Sequence, residues 1–371
     1  MSFDAADHRH MAAALRIAEG GRNLATPNPS VGCVLVQAGR VIGQGHSQQA
    51  GGAHAEVMAL RDAAARGESV AGATAYVTLE PCSHHGRTPP CALGLIEAGV
   101  ARVVAAIGDP NPLVSGRGFG LLREAGIAVE TGLLAAEARE SLKGFLSRIE
   151  RGRPWLRLKI AASLDGKVAL ASGESQWITG PAARADVQRL RARSCAMLTG
   201  SGTVLHDDPL LTVRELDGQP WQGRQPLRVV LDSRGQLPPT ARLLAAQGRT
   251  LVVTAAAPAA HVAALEAAGA EVIALPDAAG RVDLAATLAE LGRRGINEAT
   301  VESGARLNGA WLDSGLVDEL VLYQAPVLLG GAAQDLADFT LARLADKLAP
   351  RVADLRRVGA DLRYTLRFRE A

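Results

Sequence analysis

The segment RTLVVTAAAPAAHVAALEAAGAEVIAL, residues 249–275, reads as a strand, a helix and a second strand. A short β-branched run ends at Ala-Pro, an alanine- and leucine-rich stretch follows, and a glycine precedes the next apolar run. The same alternation recurs from the N-terminus. AADHRHMAAALRIAEGG is a helix ended by glycine, and PNPSVGCVLVQAGRVIGQG is a hairpin turning at Ala38-Gly39. A helix over about residues 53–66 leads to ATAYVTLEP, a buried strand. A helix over residues 89–99 precedes the strand ARVVAAIGDP, and GFGLLREAGIAVETG repeats helix, turn and strand. Strands alternating with helices imply an α/β layer fold. The charged run SRIERGRPW is the best boundary, because WLRLKIAASLDG after it begins a fresh strand and turn. The expected organisation is two α/β domains, residues 1–150 and 151–371, without short repeats or low-complexity tracts.

Bulk properties remove several function classes. A net charge of +2 and 3 % aromatic residues form neither a basic field nor a stacking platform, so no nucleic-acid partner is expected. No run of eighteen apolar residues and no secretory h-region occurs, so neither a membrane partner nor export is expected. Four cysteines in 371 residues are too few for a disulfide framework and fit a reducing cytoplasm.

Two of those cysteines lie in PCSHHGRTPPC, where eight residues separate Cys82 from Cys91. Upstream, GGAHAEVMAL places His54 two residues before Glu56. One imidazole and two thiolates around Zn2+ leave one tetrahedral position for water, and a glutamate that does not ligate the metal can take that water's proton. Zinc lowers the pKa of water from ~15.7 to about 7, which makes hydroxide available at neutral pH. His54 and Glu56 start one helix and Cys91 another, where the helix dipole favours a thiolate. The order H-x-E, P-C, C therefore points to a zinc deaminase, with His54, Cys82 and Cys91 as ligands and Glu56 as the catalytic acid–base group. Two other readings stay open. His84 or His85 could complete a structural zinc in a non-catalytic, zinc-stapled binding protein, or the chain could be a nucleotide or tRNA deaminase with an unrelated second domain. Cys33 and Cys195 read as ordinary buried thiols.

TLEPCSHHGRTPPC and HAEVMAL, preceded by TPNPSVGCVLV, resemble the deaminase half of the bifunctional deaminase–reductases of riboflavin biosynthesis. LKIAASLDGKVALASGESQWITG and ARADVQRLRARSCAMLTGSGTVLHDDPLLTVR resemble the fused reductase, so the likeness spans nearly the whole chain. It implies an N-terminal cytidine-deaminase-like α/β/α domain followed by a C-terminal dihydrofolate-reductase-like α/β domain. It also implies a phosphorylated pyrimidine substrate, NADPH as the second cofactor, and a homo-oligomer, dimer or tetramer. The substrate would be 2,5-diamino-6-ribosylamino-4(3H)-pyrimidinone 5′-phosphate, deaminated and then reduced from ribosyl to ribityl.

By the same resemblance Asn28, His46, Asp109 and Asn111 contact the pyrimidine, and Arg87 meets the phosphate. In the second half the substrate would meet Ser175, Arg191, Leu211, Arg214 and Glu302. NADPH would lie against Ala161, Trp177, Thr203, Asp207 and Ser233, and along Gly304, Ala305, Arg306, Leu307, Asn308, Gly309 and Ala310. Lys159 could assist, Ser233-Arg234 could read the 2′-phosphate, and Glu302 or Asp207 could supply the proton. Without the resemblance the two glycine-containing turns, 199–203 and 301–304, are weak signals, since neither is a full G-x-G-x-x-G.

Overall fold

The computed structural model describes residues 3–83, 90–112 and 114–370. They form two compact units, residues 1–152 and 153–370.

The first unit begins with helix Ala5–Ala18, whose start is fixed by reciprocal capping: Asp7 N–H donates to Asp4 (2.7 Å) and Asp4 N–H to Asp7 (3.1 Å). Asp7 also accepts from Arg102 and from the Tyr76 hydroxyl, both at 2.7 Å. The Arg102 guanidinium is the main reason its carboxyl sits well below the usual range. A five-stranded sheet runs in the order Arg40–His46, Gly32–Gln37, Thr74–Val77, Arg102–Ala105, Ala128–Thr131. The first two pairings are antiparallel and the last two parallel. Its hairpin turns at Ala38 and Gly39, both with positive φ, as a two-residue loop between twisted strands requires. Alternation along Gly32–Gln37 divides the core. Cys33 and Leu35 face helices Ala55–Ala65, Cys91–Glu97 and Arg117–Glu124, while Val34 and Val36 face helix Ala5–Ala18. The result is the three-layer α/β/α arrangement expected for this half.

One helix was not foreseen. Ala135–Arg151 runs into the charged stretch read as the domain boundary, because Leu142, Phe145 and Leu146 repeat at helical spacing and are buried in the same core. The chain leaves the helix at Gly152, in the left-handed conformation.

The second unit is built on a nine-stranded sheet. Its order is Ala270–Ala274, Thr250–Thr254, Leu227–Leu231, Ala196–Gly200, Glu298–Val301, Trp155–Ala162, Glu319–Gln324, Asp361–Arg367, Arg351–Val358. The first seven strands are parallel and the last two antiparallel. Helices cover both faces of the parallel part, as burial on both sides requires. The mixed α/β architecture of both units agrees with the fold class expected from sequence. Among the described residues no helix is long and apolar enough to cross a membrane.

Candidate active sites

His54 is the N-cap of helix Ala55–Ala65 and Glu56 its second residue, so the two side chains leave the helix before its periodicity separates them. The helix lies close to the sheet because residues 43 and 45 carry no side chain. A Cβ at Gly45 would stand 2.4 Å from Met58 Cβ, and one at Gly43 would stand 2.4 Å from the Ala59 carbonyl. Gly45→Ala is therefore expected to push the helix outward. Zinc retention under chelator challenge and ammonia release should both fall, while the second unit keeps its activity. Wild-type zinc retention in that variant would show that the close approach does not set the site.

Cys82 follows the strand Thr74–Val77, and Cys91 opens helix Cys91–Glu97. His54 Nδ1 lies 3.5 Å from Cys82 Sγ and 3.3 Å from Cys91 Sγ, and all three donor atoms fall within 4.8 Å of one another. Zn–S and Zn–N bonds in a tetrahedron would separate S from N by about 3.6 Å, so the donor set fits zinc. The Cys91 N–H donates to Cys82 Sγ at 3.3 Å. Hydrogen bonding, first from the Cys91 side chain and then from His54 and the Cys91 backbone, outweighs burial and pulls the Cys82 thiol down to about 4. Glu56 is 4 % exposed and lines the cavity beside these ligands. Burial is the largest cause that pushes its carboxyl up to about 7, and the neighbouring Cys82 charge adds to it. Cys33 and Cys195 are buried, as ordinary thiols would be.

A cavity of about 520 Å³ opens beside these groups. Of the residues expected to meet the pyrimidine, Asn28, Asp109 and Asn111 line it. His46 is not among the lining residues. Its ring packs on Gly20 and Gly21, and its Nδ1 lies 3.0 Å from the Ser47 carbonyl. Arg87, His84 and His85 lie outside the described residues. Sequence reasoning missed Ser47, Glu80 and Arg148 in the lining. Arg148 was hidden with its helix, and its guanidinium donates to the Pro27 carbonyl at 3.1 Å.

The second unit holds a cavity of about 1840 Å³ where Trp155–Ala162, Ala196–Gly200, Leu227–Leu231 and Glu298–Val301 end. Open parallel sheets bind ligands at such carboxyl ends. Ala161, Ser175, Trp177, Arg191, Thr203, Asp207, Leu211, Arg214, Ser233 and Glu302 all line it, as do Gly304, Ala305, Arg306, Leu307, Gly309 and Ala310. Asn308 is the exception: it is fully buried, accepts from the Ser303 hydroxyl (2.7 Å) and donates to the Leu336 carbonyl (2.8 Å). It braces the turn from behind. Trp177 is 66 % exposed, with the Arg184 guanidinium 4.6 Å above its ring. The Ser233 hydroxyl accepts from Val282 N–H at 3.0 Å, which ties it to the opposite wall.

At the floor of this cavity Glu302 forms a two-pronged ion pair with Arg191, 2.8 and 2.9 Å, and Lys159 Nζ stands 3.9 Å from the same carboxylate. Burial would raise the Glu302 carboxyl, but the Arg191 and Lys159 charges outweigh it and hold the group at about 2. Burial lowers Lys159, with Glu302 opposing. The cavity fits a phosphorylated dinucleotide: Gly304 caps the helix Ala305–Asp313, and Arg234, Arg281 and Arg306 face the space.

Residues 4–107 match the model of the cytidine and deoxycytidylate deaminase zinc-binding region, and residues 154–361 that of the RibD C-terminal domain. The riboflavin biosynthesis protein RibD of Escherichia coli (strain K12) is 50 % identical over 365 residues, covering 96 % of this chain and 98 % of that protein. The protein of the same description from Haemophilus influenzae is 44 % identical and covers 98 % of each. The solved structure of Acinetobacter baumannii RibD, form 1, superposes with a TM-score of 0.90 at 43 % identity, again over 98 % of both chains. That of a diaminohydroxyphosphoribosylaminopyrimidine deaminase/5-amino-6-(5-phosphoribosylamino)uracil reductase from Thermotoga maritima gives 0.86 at 34 % identity, with the same coverage.

Proposed function

Since the chain belongs to the RibD family, and is thereby a zinc deaminase and a reductase of riboflavin biosynthesis, we propose how its residues divide that work. Residues 1–150 form the deaminase domain and residues 151–371 the reductase domain. The substrate is 2,5-diamino-6-ribosylamino-4(3H)-pyrimidinone 5′-phosphate. The observation that carries the deaminase reading is the convergence of His54 Nδ1 with the Cys82 and Cys91 sulfurs beside a buried Glu56. A full-length match to RibD, not to a nucleotide or tRNA deaminase alone, supports this reading over the alternatives.

His54, Cys82 and Cys91 would hold zinc, which when bound supplies the Lewis acidity that makes water nucleophilic at neutral pH. Glu56 carries the proton from the attacking water oxygen to a ring nitrogen, then delivers one to the departing amine as the C2–N bond breaks and ammonia leaves. Asn28, Asp109 and Asn111 orient the ring from the cavity wall, and Arg87 takes the phosphate. Zinc content together with ammonia release from this substrate, compared with cytidine, deoxycytidylate and tRNA, tests the assignment. Release only from the phosphorylated diaminopyrimidine is expected.

In the reductase domain Arg191 and Arg214 bind the substrate's phosphate side, and Ser175 and Leu211 shape its pocket. Ala161, Trp177, Thr203, Asp207, Ser233 and the segment 304–310 receive NADPH, which when bound supplies the hydride that C1′ of the opened ribosylamine accepts. Glu302, held anionic, does not donate the balancing proton. Lys159 donates it, from Nζ to the nitrogen attached to C1′, and Glu302 keeps Lys159 charged and in place. Only the protonated lysine can donate, so reductase turnover should fall as pH rises through its pKa, on a limb set below that of an ordinary lysine by burial. In Lys159→Arg the limb should move upward while kcat drops. An unmoved limb would assign the proton to another group.

Only four cysteines in 371 residues support a reducing cytoplasm, and the exposed Val352 and Leu355 on the edge strand Arg351–Val358 support a homo-oligomer, dimer or tetramer. A small-molecule pyrimidine is the partner proposed; nucleic acid and membrane are not.

A further inference from the structure

Glu80 is 4 % exposed, lines the first cavity, and neither ligates metal nor transfers a proton in the scheme above. Its carboxylate accepts four backbone N–H groups. Asp109 (3.1 Å) and Gly116 (3.0 Å) donate to Oε2, and Gly118 (3.0 Å) and Phe119 (3.3 Å) donate to Oε1. All four donors belong to one segment, residues 109–119. Its start lines the cavity through Asp109 and Asn111, and its end opens helix Arg117–Glu124. One carboxylate thus ties both ends of the loop to the strand-end that leads to Cys82. Asp109 passes the constraint on, because its Oδ1 accepts the Asn111 N–H at 2.8 Å. Gly118 permits the approach, since a Cβ there would stand 2.0 Å from the Pro81 carbonyl.

We propose that Glu80 is a positioning residue of the deaminase, which sets Asp109 and Asn111 against the pyrimidine by gathering the loop's N–H groups on an acceptor-only carboxylate. The proposal rests on the reading of this cavity as the deaminase site. An ionised carboxylate offers about four lone-pair sites and no donor, so four N–H groups saturate it. Glutamine has the same shape but turns an NH₂ toward two of those donors and leaves them without their acceptor. The loop then withdraws with the two residues it carries, while the metal ligands and Glu56 stand on other segments.

Steady-state deamination by full-length Glu80→Gln tests this, with zinc content and NADPH-dependent reduction measured on the same sample. KM is expected to rise about tenfold with kcat within about twofold of wild type, because the binding lost is shared by ground and transition states. Zinc and reductase activity should be unchanged. Adding Asp109→Ala should then raise KM little further, since both changes remove the same placement. An unchanged KM, a fall in kcat alone, or KM effects of the two substitutions that multiply would overturn the proposal. If Glu80→Gln loses zinc, Glu80→Asp, which keeps the charge but is one methylene short, carries the test under the same KM criterion. A wild-type chain that releases no ammonia from this substrate would instead overturn the deaminase reading.

Discussion

Glu56→Gln is expected to lower ammonia release by about 10²–10⁴ while zinc stays bound and NADPH-dependent reduction is untouched. Glutamine keeps the volume and the polar contacts of a side chain that is 4 % exposed, so the helix that carries His54 has no reason to move. What it removes is the oxygen that accepts water's proton. Burial raises the Glu56 carboxyl above the ordinary glutamate range, and a carboxyl can both take and return a proton, which an amide cannot do. Zinc analysis and the two activity assays on one sample check this. Loss of zinc together with activity would make Glu56 a structural element of the metal site, and undiminished deamination would place the proton elsewhere.

Glu302→Gln should have the largest effect in the second domain, a fall in reductase kcat/KM of about 10² or more with deamination unaltered. The carboxylate faces Arg191 through two charge-assisted hydrogen bonds and Lys159 at 3.9 Å. Removing its charge leaves two largely buried cations, with Arg214 near them, uncompensated. Breaking a buried ion pair from one side commonly costs about 3–5 kcal/mol, and about 3 kcal/mol of transition-state binding is about a hundredfold in rate. The high-pH limb of turnover should also move to lower pH, since Lys159 would lose the anion that opposes the effect of burial. Reduction at the wild-type rate would show that the pair serves only the fold.

The grouping of His54, Cys82 and Cys91 near Glu56 was legible in the sequence because zinc chemistry fixes residue types and order, whatever the backbone does between them. The strand and helix alternation was equally legible, since it needs only local periodicity. What escaped depends on contacts between distant segments. Glu80 stood in plain view in TLEPC, but its role arises from four N–H groups at least 29 residues away. The helix Ala135–Arg151 was hidden because its exposed face carries the charges of SRIER, although Leu142, Phe145 and Leu146 already marked a buried one. The antiparallel strand Arg351–Val358 is largely solvent-facing, and Asp361–Arg367 buries the polar residues Asp361, Thr365 and Arg367, so apolar alternation announced neither. Asn308 was named with the cofactor segment, yet helical geometry turns it into the core and leaves its neighbours facing the cavity.

Three side chains and no more should grip the zinc ion. X-ray absorption at the zinc edge of the full-length protein counts them directly. Two sulfurs and a single imidazole, at one zinc per chain, is the result expected from His54, Cys82 and Cys91. A second imidazole in that shell, contributed by His84 or His85, would close the position that hydrolysis requires and contradict the account.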